Sequence, residues 1–170
     1  VTRKAVWGSL IFTILVPGTV AILIPILLTG WHRRSDLTPA TPLRFLGLFL
    51  FFAGLPILLS AIRRFATEGR GTPAPIAPTA HLVVGGPNRY VRNPMYLAVV
   101  ALILGQALLL SQSPLLWYGV IVALAQAAFV HLYEEPTLRK QFGAEYDDYR
   151  RNVPAWIPRR TPWSPAAETR

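Results

Sequence analysis

Residues 94–135 read PMYLAVVALILGQALLLSQSPLLWYGVIVALAQAAFVHLYEE. From Asn93 to Tyr133 the chain carries no formal charge over 41 residues, and then two glutamates, Glu134 and Glu135, stand side by side. Only SQSP separates two apolar blocks, about 94–110 and 114–133. Blocks of this length and polarity read as membrane-spanning helices, each able to cross much of a ~30 Å hydrocarbon layer. A link this short forces the two helices to lie antiparallel and adjacent. Their far ends, RYVRNPMY (89–96) and YEEP (133–136), must then meet on one side of the membrane.

Upstream, residues 6–29 hold no charge in 24 positions, with Pro17 and Pro25 expected to kink the helix. Kinks of this kind are tolerated where neighbouring helices satisfy the freed carbonyls. A polar link over 31–42 leads to another apolar block, 43–62, which Arg63 and Arg64 are expected to stop. Residues 65–92 are rich in glycine and proline and read as a loop whose first half is a linker. The expected fold is an all-α integral membrane protein of four transmembrane helices, the last two a tight hairpin, followed by a cytoplasmic helical tail. Residues 1–64 supply two N-terminal helices and 65–170 the catalytic region, in one folding unit.

The whole composition agrees: 52% of residues are hydrophobic and only 15% charged, against roughly 25% charged in soluble domains. The net charge of +9 points to anionic lipid head groups rather than nucleic acid, because the basic residues flank apolar blocks. With four crossings, 14 of the 17 Lys and Arg residues share one side with both termini. The positive-inside rule makes that side cytoplasmic, here of a prokaryotic-type inner membrane. No cysteine is present, and His32, His81 and His131 are too far apart for a metal motif.

The meeting point of the hairpin ends is the candidate site. Glu134 and Glu135, read as ending a helix, would face the negative end of its dipole and need a partner. That partner is either an arginine, Arg92 or Arg139, or a cationic or hydroxyl-rich ligand. Tyr90, Tyr96 and Tyr133 suit an interfacial aromatic belt. Asn93-Pro94 suits a helix start, with Asn as N-cap. Gln106, Gln126 and His131 can hydrogen-bond between helices. In the tail, Leu138, Phe142, Tyr146 and Tyr149 recur at intervals that mark one helix face. Dinucleotide and serine-hydrolase motifs are missing, and two neighbouring glutamates diverge on a helix, which makes a poor glycosidase pair.

In combination, GGPNRYVRNPMY, the hairpin, and YEEPTLRKQFGAEYDDYRRNVPAWIP resemble the isoprenylcysteine carboxyl methyltransferases, and the NPMY and YEEP elements are shared with the phospholipid N-methyltransferases. The likeness spans about residues 81–160. It implies an integral membrane enzyme that moves a methyl group from S-adenosyl-L-methionine to a lipid or lipophilic acceptor. Carried over by position, Arg92, Asn93, Pro94 and Tyr96 fall on the family's Arg-His-Pro-x-Tyr element, and Glu134 and Glu135 on its acidic pair. Tyr146, Tyr149 and Val153-Pro154 fall on the tail motif. Tyr90, Arg92, Asn93, Tyr96, Glu134, Glu135 and Tyr146 are thereby implied as cofactor-binding and Tyr149, Arg150 and Arg151 as catalytic, the two arginines on the acceptor side. Asn93 stands where the family has histidine, and Asn152 where a basic residue often precedes Val-Pro. The resemblance favours carboxyl O-methylation, with phospholipid N-methylation or a non-catalytic membrane subunit as alternatives.

Overall fold

The computed structural model describes residues 14–33, 41–67 and 81–165. The start of the first apolar block, Arg34 and Asp36 of the first link, and the linker around residues 68–80 lie outside these. Among the described residues every regular element is helical.

Helix α1 opens in a wide π-helical register, Ile14–Leu23, and continues as an α-helix, Ile24–Thr29. Pro17 sits inside the wide stretch. Pro25 lies inside the continuous helix, and carbonyls one turn before it accept from other helices, Ala21 O from Gln106 Nε2 and Val20 O from Tyr118 Oη, both at 2.8 Å. Gly30, at φ 58°, closes the helix with its N–H donated to Ile26 O at 2.7 Å. Helix α2 spans Thr41–Thr67. It runs through Arg63 and Arg64, the expected stop, because arginine is a good helix former and charge alone does not end a helix. A 3-10 turn, Gly86–Arg89, leads into α3, Pro94–Leu110, whose bounds are those expected. Ser111 adopts a left-handed φ of 53° and Gln112 begins the return. Helix α4, Ser113–Phe129, runs on through a single π-type turn, Val130–Glu134, into α5, Glu135–Phe142. The expected end at Tyr133 is thus a change of register rather than a terminus. Helix α6 covers Ala144–Asn152.

Helix α3 is the centre of the bundle. Met95, Ala98, Val99, Leu102 and Ile103 are buried against Leu58, Ala61 and Ile62 of α2 and Ala21 of α1. The α2–α3 crossing is close because its residues are small. A Cβ on Gly105 would stand 2.9 Å from both Gly47 O and Phe51 N. Tight backbone approach through glycine is how helices pack when water supplies no driving force. The outer faces are the reverse of a soluble protein's: Phe45, Phe49 and Phe52 of α2 and Trp117, Ile121 and Leu124 of α4 are exposed. Pro42–Arg64 and Ser113–Phe142 are long and apolar enough to cross a membrane, with only 28% and 22% of their apolar windows buried. So much unpartnered apolar surface suits lipid.

Neutral side chains close the turn end of the hairpin onto α1. Gln112 Nε2 donates to His32 O at 2.6 Å, and Gln106 Nε2 to Ala21 O at 2.8 Å. Trp31 Nε1 donates to Gln106 Oε1 at 3.3 Å. In the tail, Gly143 (φ 53°) breaks the single helix expected from the spacing. The apolar face survives the break: Tyr146, Tyr149 and Val153 are buried with Leu138, Phe142, Leu82, Val84 and Trp163.

Candidate functional site

Both glutamates sit within a continuous helix, so the dipole argument from a C-terminal position falls. The reason is Pro136. Its missing N–H would leave a gap in an α-helical ladder. The chain widens one turn earlier, with Glu135 N–H donating to Val130 O five residues back. Thr137 Oγ1 then donates to Tyr133 O at 2.7 Å. Single π-type turns of this sort recur at functional sites.

The hairpin brings the remote clusters together, as its short link requires. Arg92 Nη2 lies 2.9 Å from Glu135 Oε1, a pair with both side chains nearly buried. Arg92 Nη1 also donates to Tyr146 Oη at 3.3 Å. Arg150 Nη2 lies 3.6 Å from Glu135 Oε2. Glu134 turns the other way and accepts a 2.7 Å hydrogen bond from Tyr96 Oη. The two carboxylates therefore have different partners, an ion pair and a phenol.

A short layer of backbone contacts holds this arrangement. Arg92 N–H donates to Pro154 O at 2.9 Å and Asn88 Nδ2 to Arg92 O at 3.2 Å. Tyr149 Oη donates to Asn88 O at 2.7 Å. Asn93 occupies the N-cap of α3 but its side chain makes no cap bond there. Its Nδ2 donates instead to Ala155 O at 3.2 Å, tying the helix start to the tail. Burial, then the Glu135 charge, pushes the Tyr146 hydroxyl up to about 12. Burial likewise raises Tyr149. Both remain neutral hydrogen-bonding groups at physiological pH.

Three spaces adjoin these residues. A narrow crevice of about 60 Å³ is walled by Asn88, Arg92, Asn93, Glu134, Glu135, Tyr146 and Tyr149, with Leu82, Val83, Val130 and Leu138 behind them. A polar basin of about 350 Å³ lies across Glu135, lined by His131, Pro136, Arg139, Lys140 and Arg150. An apolar cavity of about 420 Å³ opens between α1, α3 and α4. Val16, Pro17 and Val20 line it from α1, Met95, Tyr96 and Val99 from α3, and Tyr118, Val122, Ala125, Gln126 and Phe129 from α4. Tyr96 lines this cavity, and its hydroxyl donates to Glu134 of the crevice.

Arg92, Asn93, Glu134, Glu135, Tyr146 and Tyr149 thus converge on the crevice, with Tyr96 at its apolar border and Arg150 behind Glu135. Tyr90 and Arg151 do not join them. Tyr90 ends the 3-10 turn with its ring exposed and its carbonyl accepting Arg159 N–H at 2.9 Å. Arg151 is one helical step from Arg150, on the solvent face, 3.4 Å from Asp148. Arg139, the alternative partner for the glutamates, pairs with Asp147 at 3.0 Å. Sequence reasoning missed Asn88, whose only signal is its place in the GGPNRY turn. It also left Gln126 as a helix–helix bond, whereas its buried Oε1 has no hydrogen-bond partner among the described residues.

The profile of the phospholipid methyltransferase family matches residues 43–145. A search of curated proteins finds no match. The matched span covers more than half of the chain and takes in α2, which the motifs alone left as a generic apolar segment, as well as the hairpin and both glutamates. This chain belongs to the phospholipid methyltransferase family.

Proposed function

We propose that this protein is an integral membrane enzyme that methylates the amino group of a lipid, with S-adenosylmethionine as donor. One observation carries the reading: Tyr96 is shared between an apolar cavity and a crevice of ionised groups, through its 2.7 Å bond to Glu134. A lipid arriving between the helices and a water-soluble cofactor arriving from the polar side would meet at that border. Four crossings, by α1, α2, α3 and α4, with both termini cytoplasmic, put the crevice on the cytoplasmic side. At 17 residues, α3 is about 26 Å long and suffices for a crossing. Residues 1–64 then act as scaffold and 65–170 as the catalytic region.

The crevice residues fit the cofactor's polar groups. Carboxylates accept hydrogen bonds from ribose hydroxyls and from an ammonium. Arg92 Nε and Asn88 Oδ1 are buried without partners among the described residues, and such atoms favour a ligand that satisfies them. The crevice alone is smaller than the ~300–1,000 Å³ of pockets that enclose a whole small molecule. The basin beyond Glu135 supplies the remaining room. Glu135, Arg92, Asn88 and Tyr146 would hold the cofactor, which supplies a methyl group on a sulfonium. The protein's part is positioning and exclusion of water, which account for much of the acceleration in a direct displacement.

An amine acceptor is favoured over a carboxylate because no cation among the described residues lines the apolar cavity. The carboxyl reading keeps one observation in its favour, Arg150 beside Glu135. Labelled cofactor offered with phosphatidylethanolamine and with a prenylcysteine separates the two. The test of the site is titration of the detergent-purified protein with S-adenosylhomocysteine. Binding by the wild type, weakened at least tenfold in a Glu134→Gln, Glu135→Gln double variant, is expected. Unchanged affinity in that variant would sink the assignment, and absence of binding by the wild type would favour a non-catalytic subunit.

A further inference from the structure

An amine reaches the apolar cavity with a chemical problem. Alkyl ammonium groups titrate near ~10, as the lysine side chain does, so roughly one in a thousand is neutral at pH 7. The protonated form has no lone pair and cannot attack a methyl group. Something at the cavity must accept a proton.

The walls offer few polar atoms. Among the described residues no charged side chain lines the cavity, and Tyr96, Tyr118 and Gln126 are its lining residues with polar side chains. Tyr118 Oη donates to Val20 O at 2.8 Å, a backbone carbonyl that cannot take a proton onward. Gln126 Oε1 is buried without a partner among the described residues, so it can accept an N–H. Tyr96 Oη donates its own hydrogen to Glu134 Oε2, which leaves the phenol oxygen's lone pairs to accept another.

We infer that Tyr96 and Glu134 form a proton relay that deprotonates a lipid ammonium held in the apolar cavity, with Gln126 accepting a second hydrogen bond from it. The inference rests on the amine-acceptor reading above. The ammonium gives one proton to Tyr96 Oη as the phenol's proton passes to Glu134 Oε2. The tyrosine ends unchanged, Glu134 ends as a neutral acid, and the amine gains the lone pair that forms the new C–N bond as the C–S bond breaks. Glu134 then returns its proton to water on the crevice side. The apolar walls assist, since desolvation disfavours a cation and eases its proton loss. Among the described residues the titratable and charged groups around the pair are Glu135, Arg92, Tyr146 and Tyr149 in the crevice and Tyr118 across the cavity, while α1 contributes Val16, Pro17 and Val20.

The test uses Tyr96→Phe, which keeps the ring in the cavity wall and removes only the hydroxyl. The full chain in detergent is supplied with phosphatidylethanolamine and labelled S-adenosylmethionine, and S-adenosylhomocysteine affinity is measured in parallel. Expected is affinity within about twofold of wild type, which also reports folding, with kcat at neutral pH lowered about 10²–10³-fold. The variant must draw on amine already neutral in solution, so its kcat/KM should climb about tenfold per pH unit, while the wild type climbs less steeply. Wild-type turnover in the variant, or a lowered rate with the wild-type pH profile, would overturn the relay. A wild type that binds S-adenosylhomocysteine but methylates only a carboxylate acceptor overturns the relay and leaves the methyltransferase reading standing. A wild type that binds no S-adenosylhomocysteine overturns both.

Discussion

The two ends of the α3–α4 hairpin solve the same problem with different chemistry. Each end must bury polar groups where an apolar helix gives way to irregular or polar chain. At the turn, neutral amides of Gln106 and Gln112 bind backbone carbonyls of α1 and the residues after it. At the open end, Arg92, Glu134, Glu135 and Arg150 bring ionised groups together. Each end keeps buried side-chain atoms without partners among the described residues: Ser111 Oγ, Gln112 Oε1 and, on the facing start of α2, Arg44 Nε at the turn, and Asn88 Oδ1 and Arg92 Nε at the other. Unpartnered atoms therefore do not by themselves distinguish a site. What sets the open end apart is a cluster of ionised groups beside cavities, and such groups are costly to bury.

The comparison can be broken first at its charged end. Arg92→Ala leaves Glu135, which is buried, without its nearest cation. Losing one partner of a buried pair costs about 3–5 kcal/mol, so a thermal melt in detergent should shift strongly downward, and S-adenosylhomocysteine binding should be lost with it. A melt near that of the wild type would mean that Arg150 alone neutralises Glu135. At the turn, Gln112→Ala removes the 2.6 Å bond to His32 O and should cost about 1–3 kcal/mol. Cofactor-product affinity should stay the same, measured at a temperature where the variant is folded. A fall in that affinity would join the two ends and undo the contrast. The smallest effect belongs to Arg151→Ala. Its exposed pair with Asp148 is worth about 0.5 kcal/mol or less, and methyl transfer should be unaffected. A large loss of turnover there would return Arg151 to the acceptor side.

Much of this contrast could be read from the chain. A charge-free run interrupted only by SQSP dictates a hairpin, and the hairpin dictates that 89–96 and 133–136 meet. Arg92 and Glu135 do meet. What periodicity could not convey was how the chain behaves where it stops being regular. Arg63 and Arg64 looked like a boundary and are not one, since a helix interior accepts arginine. Pro136 looked like a terminator and is absorbed by one wide turn. Gly143 breaks a tail whose spacing alone implied a single helix. Tyr90 and Arg151 share segments with site residues but point elsewhere, and a spacing argument has no access to that direction. Gln126 was visible as a lone amide in an apolar helix, yet nothing in the sequence indicated that a cavity lies beside it.

The wide turn at Val130–Glu134 has a consequence for how such a site could arise or be lost. An α-helix advances about 100° per residue. A turn that holds one extra residue is therefore a phase shifter: everything after it is rotated by that angle relative to an uninterrupted helix. Removing one residue from 131–133 would take out that extra step and swing the acidic pair around the helix axis. Neither Tyr96 nor Arg92 would then find its carboxylate, although no side chain of the site had been altered. The alignment of crevice and cavity is in this sense stored in the length of the chain as well as in the identity of its residues.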